Sequence, residues 1–206
     1  MDWERYFAMM SDWKKLPAYR AEPRVDSLIG HYLPELVADC LGEATVGAIP
    51  ELPLRLATIN PDLEGKGYAD RSYKVDFYVL AVAGTHYLIE FKTDQGSRRE
   101  QQDWYLRRAT EIGMPAIVQG ICDIAKVSSY KKKYDHLLAK LESLGVTNDG
   151  RFSAKSTEVK VLYVLPRSDG SSACIDFPRI SKRLIDKQPD SPFEKQLAKT
   201  LLEWSD

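Results

Sequence analysis

The sequence predicts an α/β fold, a central mixed sheet flanked by helices. Three observations carry that prediction. Two runs rich in β-branched and aromatic residues, 72–82 (SYKVDFYVLAV) and 85–92 (THYLIEFK), are separated only by Ala83 and Gly84, a short hairpin signal. Apolar residues at helical spacing precede this hairpin over 26–41 and follow it over 98–112 and 129–144. A further strand run, 158–165 (EVKVLYVL), comes after those helices and is fully apolar in its second half, as an interior strand is.

The elements follow in order. Trp3, Tyr6, Phe7 and Met10 describe a short amphipathic helix, and residues 14–24, with two prolines, a linker. In 26–41, Leu28, Ile29, Tyr32, Leu33, Leu36, Val37, Cys40 and Leu41 form one helical stripe, with Asp26 as the expected N-cap. Pro34 inside it predicts a kink or a restart. Residues 50–59 read as the first strand, and Pro53 places it at an edge or early strand position. Residues 60–71 are a polar, glycine-containing loop. Gly113 closes the 98–112 helix. Residues 114–126 read as helix from Ile117, Val118, Ile121, Ile124 and Ala125, with a strand at 116–119 as the alternative. Residues 148–157 read as a polar loop and 172–177 as a strand. Ser191, Pro192 and Glu194 mark the start of a last helix that runs to about Trp204.

At 206 residues, 44% hydrophobic and 29% charged, the chain is expected to be one soluble globular domain over 1–206. No run reaches the length of a membrane span, and the N-terminus lacks the pattern of a signal peptide. Cys40, Cys122 and Cys174 are scattered without metal-ligand spacing, which reads as buried thiols in a reducing cytoplasm. The histidines are scattered too. His86 shares the strand face of Glu90 and reads as structural. Net charge is −1, so there is no global basic footprint for nucleic acid. Locally, Arg98-Arg99, Arg107-Arg108 and Lys131-Lys132-Lys133 form basic clusters that suit phosphates or an ordinary solvated helix face.

The chemistry concentrates on the hairpin. Its short turn makes residues that sum to 166 or 167 face each other, which sets Asp76 opposite Glu90 within one residue. Glu90 and Lys92, two apart, share a face. Two facing carboxylates at about 5 Å repel by roughly 3 kcal/mol at an effective dielectric of about 20. A divalent cation reverses that sign, and carboxylate oxygens are the hard ligands that Mg²⁺ and Mn²⁺ prefer. The alternative is a surface ion pair of Lys92 with Glu90 or Asp76.

The spacing Asp76…Glu90-Phe91-Lys92 resembles the PD-(D/E)XK nuclease superfamily, with Val75 where the family's proline stands. Gln101-Gln102-Asp103-Trp104-Tyr105 contains the Q-x-x-x-Y helix signature of its RecB-like members. The resemblance spans about 26–165 and implies a restriction-endonuclease-like αβββαβ core. Inserted helices follow the 98–112 helix, with a helix and linker over 1–24 and a strand and helix over 166–206. It implies a metal-dependent nuclease acting on nucleic acid, DNA first, through water activated by Mg²⁺ or Mn²⁺. Asp76, Glu90, Lys92, Gln101 and Tyr105 would then be the catalytic set. Asp76, Glu90, the Phe91 carbonyl and Glu35 would hold the metal, with Asp39 competing for the last place. Arg98, Arg99, Arg107 and Arg108 would meet the nucleic acid. Two further readings stay open: an inactive module of the same fold that binds nucleic acid or a protein partner, and a plain structural domain. The sequence does not separate DNA from RNA, and oligomeric state is open.

Overall fold

Residues 1–17, 20–168, 170 and 173–205 are described by a computed structural model. Helix α1 (Trp3–Trp13) buries Phe7 and Met10, and the Asp2 carboxylate caps it by accepting from the Arg5 N–H. Helix α2 (Glu22–Leu41) starts one turn earlier than expected, so Asp26 lies within the helix rather than capping it. Ala21 stands at the cap position and offers no side-chain acceptor; Pro23 in the first turn supplies the start. The helix runs unbroken through Pro34 and ends at Gly42 in the left-handed conformation. Residues 18 and 19 of the expected linker lie outside the described residues.

Strand β1 (Thr45–Arg55) begins five residues before the expected strand, and residues 56–59 form a helical turn, α3 (Leu56–Ile59). The Arg55 guanidinium holds both Glu64 carboxylate oxygens, at 2.8 and 2.9 Å, and the Ala69 carbonyl, and so pins the polar loop. Strands β2 (Ser72–Ala81) and β3 (His86–Phe91) pair as the expected hairpin, but residues 82–85 connect them rather than Ala83 and Gly84 alone. Helix α4 (Glu100–Val127) breaks at Gly113, whose φ of 75° admits no ordinary side chain. Its second half is helical, which settles the helix–strand alternative there. Helix α5 (Lys131–Ser143) follows. The expected loop at 148–157 begins with a small hairpin, β4 (Thr147–Asn148) and β5 (Arg151–Phe152), turned by Asp149 and Gly150 at positive φ. Strand β6 (Val159–Leu165) returns to the main sheet, and β7 (Cys174–Asp176) lies beside it. Residue 172, the first of the expected strand, lies outside the described residues. Helix α6 (Phe177–Lys187), not anticipated, is capped by Asp176 accepting from the Arg179 N–H. Helix α7 (Pro192–Trp204) is capped by Ser191 as predicted.

The main sheet has the order β1-β2-β3-β6-β7. The hairpin pairs are antiparallel, whereas β3–β6 and β6–β7 are parallel, so the sheet is mixed. Pro53 sits on an edge strand, where a missing N–H is tolerated. Helices α1, α2, α6 and α7 pack on one face over Phe77, Val79, Ile89, Phe91 and Val164. Helices α4 and α5 pack on the other over Leu52, Val75, Tyr78, Leu88 and Tyr163. No helix among the described residues is long and apolar enough to cross a membrane. The three cysteines are free and half-buried, not fully buried as expected.

His86 is fully enclosed. Nε2 lies 2.8 Å from the Ser156 carbonyl, which can only accept, so Nε2 carries the proton and Nδ1 accepts from the Tyr78 hydroxyl at 2.7 Å. This is a structural histidine.

Helix α2 approaches the sheet through Gly30, where an added Cβ would stand 2.6 Å from Phe77 Cε1. Gly30→Ala therefore sets a clash of about 1–3 kcal/mol against a helix-propensity gain of about 1 kcal/mol. Urea unfolding is expected to show net destabilisation, partly recovered when Phe77→Leu is added.

Candidate functional site

The site forms where β2 parts from β3. The β2–β3 ladder closes at Phe77 opposite Ile89, with register sum 166, while β3 continues beside β6 to Phe91 opposite Val164. Beyond Phe77 the Asp76 carboxylate replaces the missing backbone partner: Oδ2 accepts the Phe91 N–H at 2.8 Å. The divergence has a local cause. Ile49 and Leu52 on β1, paired with Tyr78 and Val75, lie three residues apart yet face the same side of the sheet. Strict alternation forbids that. The pairing keeps its register across this point, but on both strands the side-chain alternation slips by one residue, at Glu51 and Asp76, and Glu51 takes up the irregularity with a φ of 55°.

Lys92 fills the opening. Its Nζ donates to Glu90 Oε2 at 3.1 Å and to the Phe91 carbonyl at 3.1 Å. It lies 3.7 Å from Asp76 Oδ2 and 4.0 Å from Glu22 Oε1. Oxygens from β2, β3 and α2 thus surround one cationic centre. Glu90 is 1% and Lys92 4% exposed, whereas the side chains of Asp76 and Glu22 are 32% and 36% exposed. The cluster is closed on the Glu90 side and open toward Asp76 and Glu22.

Burial pushes the Glu90 carboxyl up to about 7, and the Asp76 charge adds to it; Lys92 and the Tyr73 hydroxyl pull the other way. Burial alone would lower Lys92, but Glu90, Asp76 and Glu22 outweigh it and hold the ammonium above the ordinary lysine value. Lys92 therefore stays charged while Glu90 titrates. Two more acids feel Asp76. Asp26 and Glu51 are both raised, first by burial and then by that charge.

Of the expected residues, Asp76, Glu90, Phe91 and Lys92 meet. Glu35 does not: it pairs with Arg183 at 2.6 Å, as does Asp39, on the opposite side of α2. At about 100° per residue, positions 22 and 26 differ by about 40° around the helix, while 35 is about 140° from 22. Glu22 and Asp26 hold the place assigned to Glu35. The Gln101 side chain donates to the Tyr105 hydroxyl at 3.0 Å, and Tyr105 stacks on Tyr73 at 5.2 Å. Tyr73 in turn donates to Glu90 Oε1. The Q-x-x-x-Y pair thus supports Glu90 through Tyr73. Arg98 is bound to Asp103 at 2.9 Å and covers the Tyr163 ring, and Arg108 pairs with Glu111. Arg99 and Arg107 are exposed.

The oxygen set suits a hard cation. Mg²⁺ is held by one or two carboxylates plus water and substrate oxygens rather than by a full protein cage. Asp76 and Glu90, two carboxylates, with the Phe91 carbonyl, are donors of that kind, and Glu22 stands 4.0 Å from the Lys92 ammonium at the open margin. Among the described residues no group of three or more His, Cys, Asp and Glu side chains is placed so that it could hold a metal ion. No family model, curated protein or solved structure matches this chain.

The raised Glu90 carboxyl sets a pH dependence. Its folded state binds a proton that the unfolded chain releases near the ordinary value of 4.5, so its contribution to stability is full below that value and is lost as pH rises through about 7. Glu90→Gln mimics the protonated form. Its stability relative to wild type is expected to rise by about 2–3 kcal/mol between pH 4 and pH 8. Urea unfolding of both proteins across that range measures it, and a flat difference would refute the assignment.

Proposed function

We propose that this chain is a metal-dependent nuclease of restriction-endonuclease-like architecture. It hydrolyses phosphodiester bonds of nucleic acid, DNA first, with Mg²⁺ or Mn²⁺. The observation that carries the reading is the ring of oxygens from Asp76, Glu90, Phe91 and Glu22 around the Lys92 ammonium. The order of main elements between α2 and β6, a helix, three strands, helices and a strand, supports it, with the helical turn α3 after β1 and the small β4–β5 hairpin before β6 as additions.

A bound Mg²⁺ would acidify a coordinated water and offset charge on the scissile phosphate. Asp76, Glu90 and the Phe91 carbonyl would hold it, with Glu22 at the open margin. The Lys92 ammonium is positioned to orient the attacking water and to stabilise negative charge on the phosphate. Tyr73 fixes the second oxygen of Glu90, and Tyr105, bonded to Gln101, braces Tyr73 by stacking. Arg99 and Arg107, exposed near the start of α4, can meet flanking phosphates.

One observation favours a second reading. Lys92 already supplies a cation and two hydrogen bonds to the cluster. The same geometry would therefore serve a non-catalytic module, with nucleic acid or a protein as partner.

Thermal unfolding separates the two. Wild type is expected to gain about 2.7 kcal/mol with Mn²⁺ at a hundredfold excess over its dissociation constant, relative to EDTA, and Asp76→Ala to gain none. Equal behaviour of the two proteins would count for the non-catalytic module. For catalysis, Lys92→Ala is expected to lower cleavage by at least ~10³-fold, the size of a lost charge stabiliser. Near-normal cleavage would remove Lys92 from the mechanism.

A further inference from the structure

A cleft of about 740 Å³ runs between the edge strand β1 and helix α5. It is a different surface from the Lys92 cluster, yet it begins beside it. Glu51 and Lys74 line its inner end, and Glu51 lies at the slip that carries Asp76. From there the cleft is walled by α5. Lys133, His136, Leu137 and Lys140 all line it, at the spacing i, i+3, i+4, i+7 that makes one stripe of a helix. Tyr130 stands at the mouth, 65% exposed, with Lys133 Nζ 5.4 Å from its ring centroid.

The chemistry of this surface points to one kind of occupant. Lys74, Lys133 and Lys140 outnumber the acids Glu51 and Asp70. An exposed tyrosine ring beside lysines offers a stacking platform next to phosphate partners, the pairing by which proteins hold unpaired nucleic-acid strands. A duplex keeps its bases stacked on one another and presents no free base to such a ring. A protein strand added to the β1 edge is disfavoured, because Pro50 and Pro53 line the cleft and have no N–H to donate.

We infer that the β1–α5 cleft binds a single-stranded polynucleotide, with a base on Tyr130 and phosphates on Lys133 and Lys140, and leads the strand toward the Asp76 slip. Only the destination of the strand rests on the nuclease reading; binding in the cleft does not.

Fluorescence anisotropy with a short fluorescein-labelled oligothymidine in EDTA tests it, since nothing is cut under that condition. Four proteins are compared: wild type, Tyr130→Ala, Lys133→Ala/Lys140→Ala, and Lys199→Ala as an exposed lysine remote from the cleft. The double variant is expected to bind at least ~10-fold more weakly and to lower the slope of log affinity against log salt by about 1.4, two contacts at about 0.7 each. Tyr130→Ala is expected to weaken binding by at least ~5-fold, the low end for losing one stacked base. Lys199→Ala should match wild type, and an unlabelled duplex should compete poorly. Wild-type affinity in both cleft variants, equal competition by duplex, or no binding by wild type would each overturn the inference. Binding that fails in the cleft variants, in a protein that cuts nothing with Mn²⁺, upholds the cleft and rejects the nuclease reading. Cutting with Mn²⁺ that both cleft variants retain, with unchanged oligothymidine affinity, does the reverse.

Discussion

The hydrogen bond from the Phe91 N–H to the Asp76 carboxylate sits at the point on which the rest of the site depends. In an antiparallel pair that donor belongs to the neighbouring backbone. Here β2 turns away one residue past Phe77, and the carboxylate takes the orphaned N–H. A buried unpaired donor costs about 1–3 kcal/mol, so the substitution is what allows the strands to part. Their parting creates the space that Lys92 enters. It also leaves the end of β3 with β6 as its one backbone partner, which keeps Glu90 in register with Tyr163. Tyr163 donates to Asp103, which grips Arg98, so the same register places the start of α4 over the site.

The cluster is a poor device for stability. Taking Glu90 and Lys92 out of water costs several kcal/mol per ion before any attraction is counted, and well-packed apolar residues commonly serve a fold as well or better. The arrangement is also asymmetric. Glu90 is sealed by Tyr73 and Lys92, while Asp76 and Glu22 remain open to solvent. A cluster built only to hold the sheet together would gain from closing both ends. On the proposed reading, the reachable carboxylates of Asp76 and Glu22 would meet an incoming cation while Glu90 stays fixed.

The hairpin was legible because a short connection leaves little freedom in register: facing residues sum to 166, one of the two values a short turn allows, although the connection is longer than the two residues expected, and with that register Asp76 and Glu90 meet. The face shared by Glu90 and Lys92 follows from strand alternation. Glu35 was misplaced for an equally local reason. Beginning α2 at Asp26 hides its first turn, and the acid that reaches the site, Glu22, lies in that turn. The missing side-chain cap at Ala21 removes the usual signal, although Pro23 remained as one. The turn at Asp149-Gly150 and the Asp176 cap of α6 were readable signals that a polar, low-contrast stretch obscured. The Tyr73, Tyr163 and Asp103 shell was not readable. It depends on β6 pairing with β3 across a long crossover, which no local pattern encodes.

The strand slip also bears on how an anion could approach so many acids. Burial and the Asp76 charge both raise the proton affinity of Asp26 and Glu51, and a phosphate arriving there meets repulsion. Two features reduce it. Lys74, two residues from Asp76 on the same strand, lowers Glu51, and Lys92 stands among Glu90, Asp76 and Glu22. The positive charge along α5 lies on the far side of Glu51, within the β1–α5 cleft. On the proposed reading, a strand entering through the cleft would meet Lys133 and Lys140 together with Glu51 and Asp70 before it reached the Asp76 cluster. On that reading the last approach to Asp76 would depend on a cation held by the carboxylates, and Glu51, which lines the cleft and feels the Asp76 charge, would join the two surfaces.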